Sequence, residues 1–450
     1  MTNLYEIGQW FEDKGLVGEK PLALVNTVVA VSGKPMGFGL EAPAGSGKTV
    51  AMDLVVGTEQ DDCGIIDSKH IYFKDAGSAT SFFYDADIIN KKKIVVFKEL
   101  QKDKTDMTIE AIKSMTEGKS AGRRVTDVTT DSTKRQEIQP KTVMYTLAIE
   151  NDTKPDTELR RRCITMSTDI SKEQTTDVLD LKAKLRWDKN ASRVLSDEKS
   201  AAIKKDVNAI LCTKIRVVNP FAAEFSKTIG AIAPDQKVRS MSEHFWDVME
   251  GVTKLNSIHR VSIGDDTICD VQDLAMTLDI YKHSFIRDVY SIPPLGDVVL
   301  RGFDDAQKVK ATDKGPSSIS LAQYGISEGN NGWIEINHLR KAIKDGQKIV
   351  LAKNVVFNIC KQLVDAGYLE DWKDGQTIKF QVMDKFVEFG APNYAHLVET
   401  AAKLVKVRYP QKFDRWYASQ FQPYIHPITG QLTQIIIKED VLDKLSQDII

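Results

Sequence analysis

The chain has 450 residues, 42% of them apolar and 28% charged, with a formal net charge of −2. That length exceeds one compact core, and the near-balance of charge excludes a global basic field, so any polyanion contact must come from local patches. Five scattered cysteines without a CxxC pair give no support to a zinc site or a disulfide framework. No stretch approaches the roughly 20 apolar residues that span a bilayer, and Met1–Tyr5 opens no basic-then-apolar leader. The expected location is therefore cytoplasmic, with no membrane partner.

In chain order, residues 1–35 read as two amphipathic helices, around Leu4–Lys14 and Lys20–Ser32. Met36–Glu41 reads as a short buried strand feeding the glycine-rich loop Ala42-Pro43-Ala44-Gly45-Ser46-Gly47-Lys48-Thr49, and a helix follows from Val50. Further strands are expected at His70–Phe73, Lys93–Phe97 and Val143–Ile149, alternating with helices, which implies a parallel α/β sheet over 36–168. Residues 169–303 turn mostly helical, as in Glu243–Leu255 and Val271–Arg287. Residues 304–330, rich in Asp, Lys, Gly and Ser, read as a linker. Within 331–390, helices at Leu339–Lys344 and Lys353–Ala366 precede strands flanking Lys373–Gln376, the pattern of a winged-helix module. Residues 391–450 read as a helical tail whose aromatic residues point to packing or a partner surface.

The glycine-rich loop carries the most specific chemistry. Gly45 and Gly47 let the backbone turn tightly and aim N–H groups at phosphate oxygens, and the helix that follows adds the positive end of its dipole. Pro43, Ala44, Gly45, Ser46, Gly47, Lys48 and Thr49 form the cradle; Lys48 reaches the β- and γ-phosphates and Thr49 places its hydroxyl on Mg²⁺. ATP and Mg²⁺ are the expected ligands, and Ala42 stands where such a motif usually opens with glycine. A P-loop ATPase also needs an acidic pair at a neighbouring strand end. The strand Ile94–Phe97 ends in Lys98-Glu99, so Glu99 is the general base while lysine holds the usual aspartate position. Mg²⁺ would then rest on Thr49, phosphates and water, or on an acid such as Asp85 or Asp87. Asn151, at the end of the strand expected between loop and base, can orient the attacking water. Arg160-Arg161-Arg162 either complete a neighbour's site, with Arg162 first, or form a solvated face.

Taken together, phosphate loop, acidic strand end, polar strand end and trailing arginines resemble the AAA+ ATPases: an α/β P-loop core followed by a helical lid. Alternation over Arg123–Ile138 around Asp131-Ser132 reads as a β-hairpin, and its place before the Asn151 strand is similar to the pre-sensor-1 hairpin of MCM-type replicative helicases. The resemblance implies a hexameric ring with shared active sites and a hairpin touching single-stranded DNA in the channel. Arg123, Arg124, Lys134 and Arg135 would be the DNA contacts, and Arg239, early in the lid, would act on the nucleotide as sensor 2. The winged helix fits the same family; Lys353, Asn354, Asn358 and Lys361 lie along its second helix. Beginning close to the ATPase module, the chain resembles a streamlined relative from a virus, plasmid or integrated element. The expected activity is an ATP-dependent DNA helicase in replication, with replication proteins as further partners. A non-motor initiator or loader that uses ATP as an assembly switch is the alternative, and a remodeller of protein substrates a third class.

Overall fold

The computed structural model describes residues 2–74, 79–100, 107–127, 132–148, 157–232, 237–289, 292–293, 295–312, 332–375, 377–383, 392–435 and 437. Its centre is a five-stranded, wholly parallel sheet in the order β2-β3-β6-β1-β7. The strands are β1 (Gly37–Ala42), β2 (Ile71–Lys74), β3 (Ile94–Phe97), β6 (Thr142–Ala148) and β7 (Cys163–Met166). Between them run α3 (Lys48–Val56), α4 (Ala79–Tyr84), α5 (Ala86–Asn90), α6 (Met107–Thr116) and α7 (Thr157–Arg162). An antiparallel hairpin, β4 (Ala121–Asp127) with β5 (Ser132–Ile138), is inserted after α6 and before β6.

Period-two alternation explains how one sheet feeds two cores. Phe38, Leu40, Ile94, Val96, Met144 and Ile164 face the larger core, built with α1 (Leu4–Asp13), α2 (Lys20–Ser32) and α3. Val95, Phe97, Val143, Tyr145 and Cys163 face a second core under α4, α5, α6 and the hairpin base, where Ala121 and Ile138 are buried. The first helix is capped reciprocally: Glu6 N–H donates to Asn3 Oδ1 at 2.9 Å, and Asn3 N–H donates to Glu6 Oε2 at 3.2 Å. The second is apolar nearly all round, with Leu22 to Val31 buried, so it needs neighbours on every side. It finds them in α3 and in two long helices, α11 (Lys237–Leu255) and α12 (Val271–Val289).

The stretch expected to be mostly helical holds α8 (Lys172–Trp187), α9 (Asp197–Cys212), α10 (Ala222–Ile232), α11 and α12, and also a small sheet. That sheet pairs β8 (Arg216–Val218), β10 (Asp266–Ile268) and β9 (Ser262–Ile263). The linker expected from Asp304 starts too early, because α13 (Gly296–Thr312) runs through its first nine residues. Phe303 and Ala306 are buried in a separate core shared with α14 (Ile336–Gln347), α15 (Lys353–Asp365) and a three-stranded sheet. Residues 313–331 lie outside the described residues. The sheet is ordered β11-β13-β12, from β11 (Ile334–Glu335), β12 (Leu369–Asp374) and β13 (Thr377–Val382).

The described part of the tail, residues 392–435, packs against the rest of the chain. Its α16 (Tyr394–Arg408) and α17 (Phe413–Ser419) lead to a short hairpin, β14 (Tyr424–Ile425) with β15 (Leu432–Thr433). Trp416 is wholly buried in the larger core and donates its indole N–H to the Cys269 carbonyl at 2.9 Å. The Gln420 amide accepts from Val271 N–H at 2.8 Å and donates to Asp270 Oδ1 at 2.9 Å, closing the N-terminal end of α12. No helix among the described residues is long and apolar enough to cross a membrane.

Candidate nucleotide site

The loop Pro43–Gly47 joins β1 to α3 at the carboxyl edge of the parallel sheet, where crevices in such sheets take ligands. Gly45 (φ 75°) and Gly47 (φ 90°) both sit in the left-handed region, which other residues adopt at a cost. A Cβ built on either glycine meets nothing within 4 Å, so conformation rather than crowding dictates glycine there. Lys48 is 8% exposed, and its ammonium donates to the Ala42 carbonyl at 2.7 Å and the Pro43 carbonyl at 2.6 Å. The cation is thus folded into the mouth of its own loop. Thr49 is exposed at the start of α3, and Ser46 Oγ is buried with no hydrogen-bond partner among the described residues. A loop with an unsatisfied hydroxyl, N–H groups at a helix start and a buried lysine fits a Mg-bound polyphosphate.

Beneath the loop lies a buried ion pair that the sequence did not advertise. Glu41, 1% exposed, accepts from Arg160 Nε at 2.9 Å and from the Tyr145 hydroxyl at 3.2 Å. Gly39 makes this possible, because a Cβ there would lie 2.3 Å from the Tyr145 ring. Burial, and then the Glu41 carboxylate, push the Tyr145 phenol well above its usual range, so it stays a donor. The helix α12 joins the same region: Thr165 donates to Asp288 Oδ1 at 3.0 Å, and Arg287 donates to the Thr165 carbonyl. Burial pushes the Asp288 carboxyl up to about 6, against the opposing pull of Arg287, the Thr165 hydroxyl and Arg160.

The three arginines therefore have three different settings. Arg160 is committed to Glu41. Arg161 is the most exposed, with its side chain at 45%, and reaches Glu158 at 2.6 Å. Arg162, the first choice for a neighbour's site, is held within its own chain by Glu158 at 2.7 Å and Glu117 at 3.0 Å. Its backbone is also hydrogen-bonded by His244 of α11, whose imidazole burial pushes down to about 4.

Glu99 is exposed just past the end of β3, and β6 lies between that strand and β1. Asn151 lies outside the described residues. Lys98 is paired within the chain: its ammonium lies 2.8 Å from Asp53 of α3. Of the two acids considered for Mg²⁺, Asp85 accepts the Tyr72 hydroxyl at 2.5 Å and Asp87 is exposed on α5. Arg239 is exposed in the first turn of α11, its carbonyl accepting the Ser242 hydroxyl at 2.9 Å.

In the hairpin, register sorts the four basic residues. Arg124 stands directly opposite Arg135, whereas Arg123 opposes Gln136 and Lys134 opposes Val125. Like charges opposite one another destabilise a bare ribbon, and both arginines are exposed. Such a pair suits a phosphate backbone. On the expectation that the hairpin contacts single-stranded DNA, converting both Arg124 and Arg135 to alanine would weaken that binding and flatten its log–log salt dependence by about 1 to 2 units. Salt-titrated fluorescence anisotropy checks this, with Arg123→Ala changing the slope less.

No family model matches the chain, and no curated protein does. Among solved structures it is similar to an apo form of the NrS-1 C-terminal region, at 12% identity over 85% of this chain and 76% of that one, with a TM-score of 0.23. A second apo structure of that region gives 11% identity, the same coverages of 85% and 76%, and a TM-score of 0.22. Overlaps this shallow carry no weight for fold or function.

Proposed function

We propose that the chain is an ATP-hydrolysing DNA translocase of the AAA+ kind, resembling MCM-type helicases and working in DNA replication as a hexameric ring. The observation that carries the reading is topological. The phosphate loop on β1 and Glu99 past β3 flank β6, and a hairpin bearing paired arginines is inserted immediately before β6. Mg·ATP, when bound, supplies an electrophilic γ-phosphoryl group whose charge the cation offsets. Lys48 would leave its loop carbonyls for phosphate oxygens, the Gly45–Gly47 backbone would orient them, and Thr49 would help hold the cation. Glu99 accepts a proton from the attacking water. The hairpin, rooted through Ala121 and Ile138 in the core beneath β3 and β6, moves with that core and carries DNA with it.

The separate unit of α13, α14, α15 and the β11–β13–β12 sheet has the order of a winged helix. Lys353 and Asn354 are exposed at the start of α15, while Lys361 is engaged by Asp371 of β12. One observation favours the second reading, a switch rather than a motor: Arg162 is tied to Glu117 and Glu158 and must let go to reach a neighbour. Strand separation decides between them. A forked duplex with a fluorophore and quencher is expected to open only with hydrolysable ATP; hydrolysis without strand separation favours the assembly switch.

A further inference from the structure

The sheet edge beside the phosphate loop carries an exchanged pair of charges. In a P-loop ATPase an acid at the strand tip before the catalytic glutamate supports the divalent cation. Here that tip is Lys98, and the carboxylate stands across from it on α3, with Lys98 Nζ 2.8 Å from Asp53 Oδ1. Asp53 lies four residues beyond Thr49, so both occupy one face of α3. Side chains on a helix lean toward its N-terminus, which here is the loop end. Both members of the pair are partly withdrawn from solvent, at 31% and 24% exposure. The Lys98 ammonium also lies 5.3 Å from the centre of the Phe73 ring. From the sheet side, the Thr146 hydroxyl donates to the Lys98 carbonyl, and Leu100 N–H donates to the Thr146 carbonyl at 2.8 Å.

Lys98 is therefore fixed to β6 through its backbone and to the loop helix through its side chain. An unpaired ammonium at this place would repel a divalent cation. Neutralised by Asp53, it instead holds a carboxylate on the Thr49 face. The partnerless Ser46 hydroxyl is an independent sign that the loop is shaped for further ligand oxygens. We infer that Asp53 supplies the carboxylate that retains the magnesium of a bound Mg·nucleoside triphosphate, with Lys98 as its positioning residue, so that acid and base have exchanged sides of the site. This rests on the nucleotide-binding reading above.

The test is binding rather than turnover. Affinity of the full chain for a fluorescent ATP analogue is measured in Mg²⁺ and in EDTA, and the ratio of the two dissociation constants is the readout. Because Asp53→Asn alone would unpair Lys98, it is made in a Lys98→Met background, where it is expected to shrink the magnesium advantage about tenfold relative to Lys98→Met alone, with the EDTA affinity unchanged, and Asp53→Glu in the same background to restore part of it. An unchanged ratio in the double variant overturns the assignment and leaves Asp53 a structural counter-ion. If the double variant loses binding in both buffers, Asp53→Glu decides: recovered EDTA affinity without a recovered ratio also overturns it. A wild-type chain that binds the analogue in neither buffer is a different result and overturns the nucleotide reading itself.

Discussion

Lys48→Ala is expected to lower ATP affinity by roughly 100-fold, the loss of a charge-assisted phosphate contact of about 2.7 kcal/mol. The ammonium is already desolvated, at 8% exposure, and held by two loop carbonyls, so the nucleotide competes with a short rearrangement rather than with bulk water. Removing it also strips the Ala42 and Pro43 carbonyls of a donor, which adds a stability cost of about 1 to 3 kcal/mol. The two effects separate experimentally. Isothermal titration reports the affinity, and the thermal midpoint of the nucleotide-free chain reports the loop. Unaltered affinity in a folded Lys48→Ala chain would mean that the loop does not hold phosphate.

The second large effect is structural and comes from Arg160. Its guanidinium neutralises Glu41, a carboxylate 1% exposed on the strand that feeds the loop. Arg160→Ala leaves that charge buried and uncompensated, at a cost of about 3 to 5 kcal/mol. The thermal midpoint should fall by on the order of 10 °C. Glu41→Gln should cost less, because Arg160 keeps 20% of its side chain in solvent and can turn outward. Combining Glu41→Gln with Arg160→Ala should recover part of the single-variant loss, since the two residues touch and their effects do not add. A thermal scan of the three variants measures this; equal midpoints for wild type and Arg160→Ala would remove the ion pair from the list of features holding the loop strand in place.

These two residues show what the sequence displays and what it hides. The place of Lys48, at the start of the helix that follows a strand and a glycine loop, was legible because its signals are local: glycines, lysine and threonine in one short run between strand and helix patterns. Four of the five core strands were legible for the same reason, as short apolar runs, and so was the β4–β5 hairpin, from alternation; β7, four residues straight after the three arginines, was not. Nor was Arg160. It stands among three consecutive arginines, and only the fold sets it apart: it pairs with Glu41, 119 positions away, whereas Arg161 and Arg162 share Glu158, with Glu117 a second partner of Arg162. The Lys98–Asp53 pair was hidden in the same way, since nothing local links a strand tip to the loop helix 45 positions before it.

The misplaced linker start has another cause. Asp304, Asp305, Lys308 and Lys310 suggest solvated coil, yet Val299, Phe303 and Ala306 recur at helical spacing and are buried against α14 and α15. The periodic residues were the better signal. The tail gave a partial one: its aromatic content pointed to packing, but that Trp416 would fill the core beside α12 depends on a contact about 150 residues away.

The ATPase rate with and without single-stranded DNA, for wild type and Glu99→Gln, tests the central claim most directly. A DNA motor with Glu99 as its base predicts strong stimulation by DNA in the wild type and its loss in Glu99→Gln, with ATP binding retained. Hydrolysis indifferent to DNA, or undiminished in Glu99→Gln, would contradict it.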